Sequence, residues 1–174
     1  MKRNSRRVRL HSTLLIVGEG PDDRAFVTHA KLLFCPRDCG LSVKVESGDG
    51  GSPGNIITNA IRSYRNGDYD RRYLLLDADL PPAEQERQQA QNAGYAIILW
   101  RPQCLEGTLL DVLGEPVRDH ETSQQLKQRL HPLLTGHHTD PKAYSARFPR
   151  ERLETTRNHS LSQLRRVLLN QPAG

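Results

Sequence analysis

Short apolar runs and amphipathic stretches alternate along most of the chain. Residues 12–17, STLLIV, make a nearly continuous apolar run of strand length, the pattern of a strand buried on both faces. The run breaks at Gly18-Glu19-Gly20-Pro21. From Asp22 or Asp23, a helical stripe forms through Ala25, Phe26, Ala30 and Leu33, and Pro36 helps to stop it. Residues 41–48, LSVKVESG, alternate apolar and polar positions and predict a second strand with one face more exposed. A glycine-rich loop, SGDGGSPGN (47–55), leads into a helix over NIITNAIRSYR that stops at Asn66-Gly67. RYLLLDADL (72–80) predicts a third buried strand, closing in Asp77 and Asp79. A polar helix over 82–94 has proline at its start and glycine past its end. YAIILW (95–100) is a fourth strand, and CLEGTLLDVLG (104–114) opens a short helix with Glu106 in its first turn. Two further helices are expected over 121–134 and 150–169, with a loop-like linker between them.

Strands alternating with helices predict an α/β domain with a mainly parallel four-stranded sheet and right-handed crossovers. The expected organisation is a basic tail over 1–11, an α/β core over 12–114 and a helical C-terminal extension over 115–174. In such sheets ligands sit outside the carboxyl ends of the strands, where the winding direction changes. Glu19 follows strand one, Asp77 and Asp79 close strand three, and Glu106 follows strand four. A parallel sheet therefore brings all four acids to one edge. In extended backbone Asp77 and Asp79 share a face. Carboxylates that close repel, and a hard dication such as Mg²⁺, or Mn²⁺ in its place, relieves the repulsion.

An Asp-x-Asp after an apolar run is not specific by itself; it also occurs in haloacid-type phosphatases, glycosyltransferases and ordinary strand exits. The Gly-Glu-Gly is neither a dinucleotide fingerprint nor a Walker loop, since no Gly-Lys-Ser/Thr follows. Specificity comes from the combination, in order, on corresponding strand ends.

Charge adds a partner class. The 174 residues carry a formal net charge of +5, unevenly spread. The tail holds Lys2, Arg3, Arg6, Arg7 and Arg9 without an acid, and Arg147, Arg150, Arg152, Arg157, Arg165 and Arg166 gather late in the chain. Such runs are solvated surface or phosphate-backbone contacts. Cys35, Cys39 and Cys104 show no metal-ligand spacing, and an odd count without a secretory signal suits a cytoplasmic protein. The apolar run at 14–17 is too short to span a membrane.

LIVGEG with DDRAF behind it, then LLLDAD, resembles the Toprim fold of topoisomerases, bacterial primases, OLD-type nucleases and recombination-repair proteins. Glu19, Asp77 and Asp79 match that family's Mg²⁺-holding acids, the glutamate also doing acid/base work. Within the family the chain is most similar to the RloB-like group of anti-phage and restriction loci. Phe26, the GDGGSP stretch, CLEGTLL with Glu106, and Lys142 with Tyr144 match that group's motifs. The pattern departs at Leu105, where relatives carry an aromatic residue, and at Thr108, where they carry tryptophan. The resemblance implies a Mg²⁺-dependent nuclease of DNA or RNA, working beside a separately encoded ATPase or restriction-type partner.

Other residues keep two readings. Asp23 is an additional metal ligand or a helix N-cap. Gly50 and Gly51 offer backbone N–H groups to a phosphate or simply make a flexible connection. Lys142 neutralises charge on a scissile phosphate or is solvated. Arg3, Arg6, Arg7, Arg147 and Arg150 are the expected nucleic-acid contacts. His137, His138 and Asp140 lack a matching cluster elsewhere, so no metal is expected there. Trp100 is expected in the core. Two alternatives to the nuclease stand: a non-catalytic nucleic-acid-binding module on the same frame, and a phosphatase using Asp77.

Overall fold

The computed structural model describes residues 11–174. The expected tail contacts Arg3, Arg6 and Arg7 lie outside the described residues. Four strands, β1 (Ser12–Gly18), β2 (Leu41–Ser47), β3 (Arg71–Asp77) and β4 (Tyr95–Trp100), form one sheet in the order β2-β1-β3-β4. Every pairing is parallel. The α/β class with a parallel four-stranded sheet, flanked by helices and followed by a helical C-terminal region, is as the alternation predicted.

β1 is central, which explains its unbroken apolar sequence. Leu14 and Ile16 point to one face, with Phe26 and Ala30 of α1 (Pro21–Phe34). Leu15 and Val17 point to the other, with Ile56, Ile57 and Ala60 of α2 (Pro53–Ser63). The chain leaves β1 for β2 on one side, then returns past β1 to β3 on the other. Right-handed crossovers in opposite directions put α1 and α2 on opposite faces. The carboxyl ends of β1 and β3 are consequently the switch point of the sheet. α3 (Glu84–Asn92) joins α2, contributing only Ala90 to the core, in keeping with its polar sequence.

The C-terminal region covers the α1 face. Leu126 and Leu130 of α5 (Ser123–Leu130), Leu153 of α6 (Arg150–Thr155), and Leu161, Leu164 and Val167 of α7 (His159–Leu168) join the same core as Phe26, Trp100 and Leu109. Leu109 comes from α4 (Leu105–Val112). Three expectations change here. The helix over 121–134 is α5 followed by a 3₁₀ turn, His131–Leu133. The loop-like linker holds a second 3₁₀ turn, Pro141–Tyr144, whose Ala143 and Tyr144 are buried. The helix over 150–169 is two helices, because Asn158 caps α7 by accepting from the Leu161 N–H. The Asn158 amide also donates to the Arg101 carbonyl and Asp111 Oδ2, which fixes the break against α4.

Cys35 and Cys39 pair across the turn after α1, which the cysteine count gave no reason to expect; Cys104 is free and buried. No helix among the described residues is long and apolar enough to cross a membrane.

Candidate functional site

At the switch point the strand ends, the first turns of α1 and α4, and the C-terminal region enclose a cavity of about 310 Å³. Its walls include Glu19, Asp22, Asp23, Asp77, Glu106, Lys127 and His138. Three of the acids singled out by strand position, Glu19, Asp77 and Glu106, meet here.

Glu19 leaves the end of β1 and crosses to β3, where its Oε1 accepts the Asp77 backbone N–H at 3.0 Å. The Glu19 side chain thereby joins the two segments, and its orientation is set by the fold. Burial raises the Glu19 pKa, against the Asp77 hydrogen bonds that lower it. The Asp77 carboxyl is pushed up to about 9, by burial first and next by the charge of Glu19. Glu106 is 4% exposed and is also raised by burial, with Lys127 opposing the shift. Several buried and partly buried carboxyls facing one cavity share fewer negative charges than they would carry in water. The set is all oxygen and electron-rich, and suits a hard dication.

Asp23 is neither the N-cap nor a free ligand. Gly20 is the N-cap of α1 and Asp23 its third residue. Asp23 Oδ1 accepts the Trp100 indole N–H at 2.7 Å and Oδ2 accepts the Gly20 N–H at 3.2 Å. Burial raises its pKa to about 7. Trp100 is in the core as expected, but it also anchors this acid.

The glycines divide by role. A Cβ on Gly18 would lie 2.3 Å from Asp23 Cβ, so only glycine lets β1 pass that close to α1. Gly20 has open space around it and extended backbone, and nothing requires glycine there. Gly50 and Gly51 have φ of 76° and 95°, the left-handed region. The Gly48 and Gly50 N–H groups donate to the Gly18 and Glu19 carbonyls, which docks the glycine loop on the β1 exit. Gly50 lines the cavity; its N–H is used in this docking, leaving the phosphate-nest reading without that donor.

Other expected residues fall away from the cavity. β3 ends at Asp77, so Asp79 does not share its extended face. The Asp79 N–H donates to the Gln103 carbonyl and Oδ2 accepts from the Ser123 hydroxyl at 2.7 Å. Asp79 lines an adjoining groove with Arg101, Arg157 and His159, and its charge still reaches Glu19. Lys142 is exposed, and its side chain is not among the cavity walls. Arg150 donates to the Leu33 carbonyl and lies over the Phe34 ring, at the far end of α1, about 20 Å from the cavity by helix rise. Arg147 is exposed, and its carbonyl accepts from Arg152.

Lys127 and His131 did not stand out in the sequence, and His138 did so only beside His137 and Asp140. Lys127 lines the cavity from α5. His138 Nδ1 lies 2.5 Å from Asp22 Oδ1, and His131 Nε2 lies 3.5 Å from Asp22 Oδ2. The side chains that His138 meets are thus Asp22 and His131, with His137 stacked on it, and not Asp140. His131 is seven residues before His138 and Asp22 is 116 before it, so no local spacing announces the cluster. No family model, curated protein or solved structure matches the chain.

Proposed function

We propose that the protein is a Mg²⁺-dependent phosphodiesterase acting on nucleic acid, a nuclease of Toprim-like type. The observation that carries the proposal is the meeting of Glu19, Asp77 and Glu106, from three separate elements, in one cavity at the switch point of a parallel sheet. A structural role does not account for one buried and two partly buried acids, each raised in pKa by its burial, gathered in one cavity. The donor set fits Mg²⁺, or Mn²⁺ in its place, which Glu19, Asp77 and Glu106 would hold. Bound there, the ion supplies positive charge that activates water and offsets the charge building on a phosphate.

The chain's own groups do the rest. Glu19 Oε1 is held by the Asp77 N–H, which leaves Oε2 to accept a proton from the attacking water. Its raised pKa moves it from a weak base toward a useful one. Lys127 stands at the same cavity, where an ammonium can meet a phosphate oxygen. The neighbouring groove offers Arg101 and Arg157 to phosphate oxygens, among Asp79, Asp111 and Asp119. We place the protein in the cytoplasm, beside a separately encoded ATPase or restriction-type partner, on the strength of the family resemblance.

Labelled single- and double-stranded DNA and RNA, incubated with Mg²⁺, test the assignment. The wild type is expected to cleave at least one of them, and Glu19→Gln and Asp77→Asn to lose more than about 100-fold, the usual size of an acid/base contribution. Cleavage that survives both substitutions rejects the site. Salt-sensitive binding that persists in EDTA, with no cleavage of any substrate, would favour the non-catalytic binding module instead.

A further inference from the structure

Three segments bring two imidazoles and a carboxylate together at the edge of the acid cavity. Asp22 is in the first turn of α1, His131 opens the 3₁₀ turn after α5, and His138 is in the following loop. One ligand atom from each lies within 4.8 Å of the other two. The two imidazoles are stacked, 4.0 Å apart and 5° from parallel, and each turns a ring nitrogen toward the same carboxylate. His137 stacks on the outer side of His138 at 4.3 Å. The buried Tyr144 donates its hydroxyl to the His138 carbonyl at 2.6 Å, so the loop that carries His138 is tied to the core.

A surface ion pair accounts for one of these histidines but not for both. His138 makes a short hydrogen bond to Asp22. His131 faces the other oxygen at 3.5 Å, too far for a good hydrogen bond. That separation is the one expected between two ligands of a single ion, whereas His138 Nδ1 and Asp22 Oδ1 at 2.5 Å are closer than two such ligands, so a bound ion would replace their hydrogen bond and tilt the two rings out of their parallel stack. Nitrogen and oxygen donors about 2.0–2.2 Å from a tetrahedral centre lie roughly 3.3–3.6 Å from each other.

We propose that Asp22, His131 and His138 form a binding site for a transition-series dication of the zinc class. Two imidazoles and a carboxylate suit Zn²⁺, Mn²⁺ or Fe²⁺, while Mg²⁺ prefers oxygen ligands. Three protein ligands leave a coordination position open, as in sites that bind water or substrate. Asp22 and His138 both line the cavity of Glu19 and Asp77, so an ion held there would border the same space. One cavity then holds two ligand sets of different chemistry, one all oxygen and one nitrogen-rich. The inference stands on this geometry and does not depend on the hydrolytic reading.

Zn²⁺ binding in metal-stripped buffer, with Mg²⁺ in excess, is the test. Wild type is expected to retain one equivalent of Zn²⁺. The His131→Gln/His138→Gln double variant should bind it more than about 100-fold more weakly, since loss of an outer-shell partner alone costs about 10–100-fold. Co²⁺ bound to the wild type should absorb in the visible, and Zn²⁺ should shift two histidine ring signals in its NMR spectrum; neither readout needs a variant to fold. Failure of the wild type to retain Zn²⁺ in excess Mg²⁺ overturns the proposal, and so does Zn²⁺ binding that leaves the histidine signals unmoved or survives the double substitution. Glu19→Gln should keep the Zn²⁺ equivalent while losing cleavage, so the two proposals fail separately.

Discussion

At the residue scale, the decisive groups are acids that the fold makes poor acids. Asp77 titrates near 9 and Asp23 near 7, against ordinary values near 4, because burial and neighbouring charge disfavour their ionised forms. A group whose pKa rises on folding binds its proton more tightly in the native state. Native stability is then lost as pH climbs from the unfolded value toward the folded one. Above pH 7, where histidines are already neutral, Asp77 dominates this trend. Without divalent cations, stability should fall between pH 7 and 9 by up to about 1.4 kcal/mol per pH unit, or roughly 4 °C in Tm for a chain of this size. Asp77→Asn should flatten that slope. Thermal melts of both proteins across this range decide it, and an equally steep slope in the variant would show that Asp77 is not responsible. His29 and His131 are shifted the other way by burial, so their contribution is present above pH 6.5 and fades below it, outside this window.

Much of this acid set was legible from sequence. Glu19 and Asp77 announce themselves at the ends of apolar runs, and a parallel sheet leaves them one place to go. Glu106 was legible for the same reason, as the first-turn acid after β4. Asp79 misled, because two residues of spacing place side chains together only while the backbone stays extended, and β3 ends at Asp77 itself. Lys127 and His131 were invisible, since their position depends on how the C-terminal region docks rather than on any local pattern.

At the element scale, the entry into α1 is a tight joint. Gly18 ends β1 against Asp23, and Asp23 is held in turn by Trp100 at the end of β4 and by the Gly20 N–H. Three elements therefore meet with no room for a methyl group at Gly18. Gly18→Ala should cost about 1–3 kcal/mol, the usual range for overpacking. Gly20→Ser should stay within about 0.5 kcal/mol, because the site is open and serine is a good N-cap. Denaturant titration of the two variants separates them, and equal losses would mean that the joint is not where the strain falls. The sequence marked both glycines alike; only the approach of Asp23 distinguishes them. The same lesson applies to the late helices. Their apolar stripe was readable, but the break at Asn158 was not, because it is fixed by a side-chain amide reaching Arg101 and Asp111 on another part of the fold.

At the scale of the whole molecule, the boundary expected near residue 114 separates sequence patterns but not cores. Phe26 of α1 makes edge-on contacts with Trp100, Tyr144 and Phe148, with ring centroids 5.5–6.2 Å apart. Two of those rings come from the sheet half and two from beyond residue 114. All four are 1% exposed or less. Burying a large side chain is worth about 1.5–3 kcal/mol each, and edge-to-face pairs add to it. Removing residues 115–174 strips cover from Phe26, Trp100 and Leu109 together, a loss comparable with the 5–15 kcal/mol total stability of an ordinary domain. It also removes Lys127, His131 and His138 from the cavity edge. A chain ending at Gly114 is therefore expected to lack cooperative thermal unfolding and near-ultraviolet dichroism from Trp100, even with Mg²⁺ present. A sharp melt in the truncated chain would show that the sheet half folds alone, and that the C-terminal region is an appendage rather than the other wall of the site.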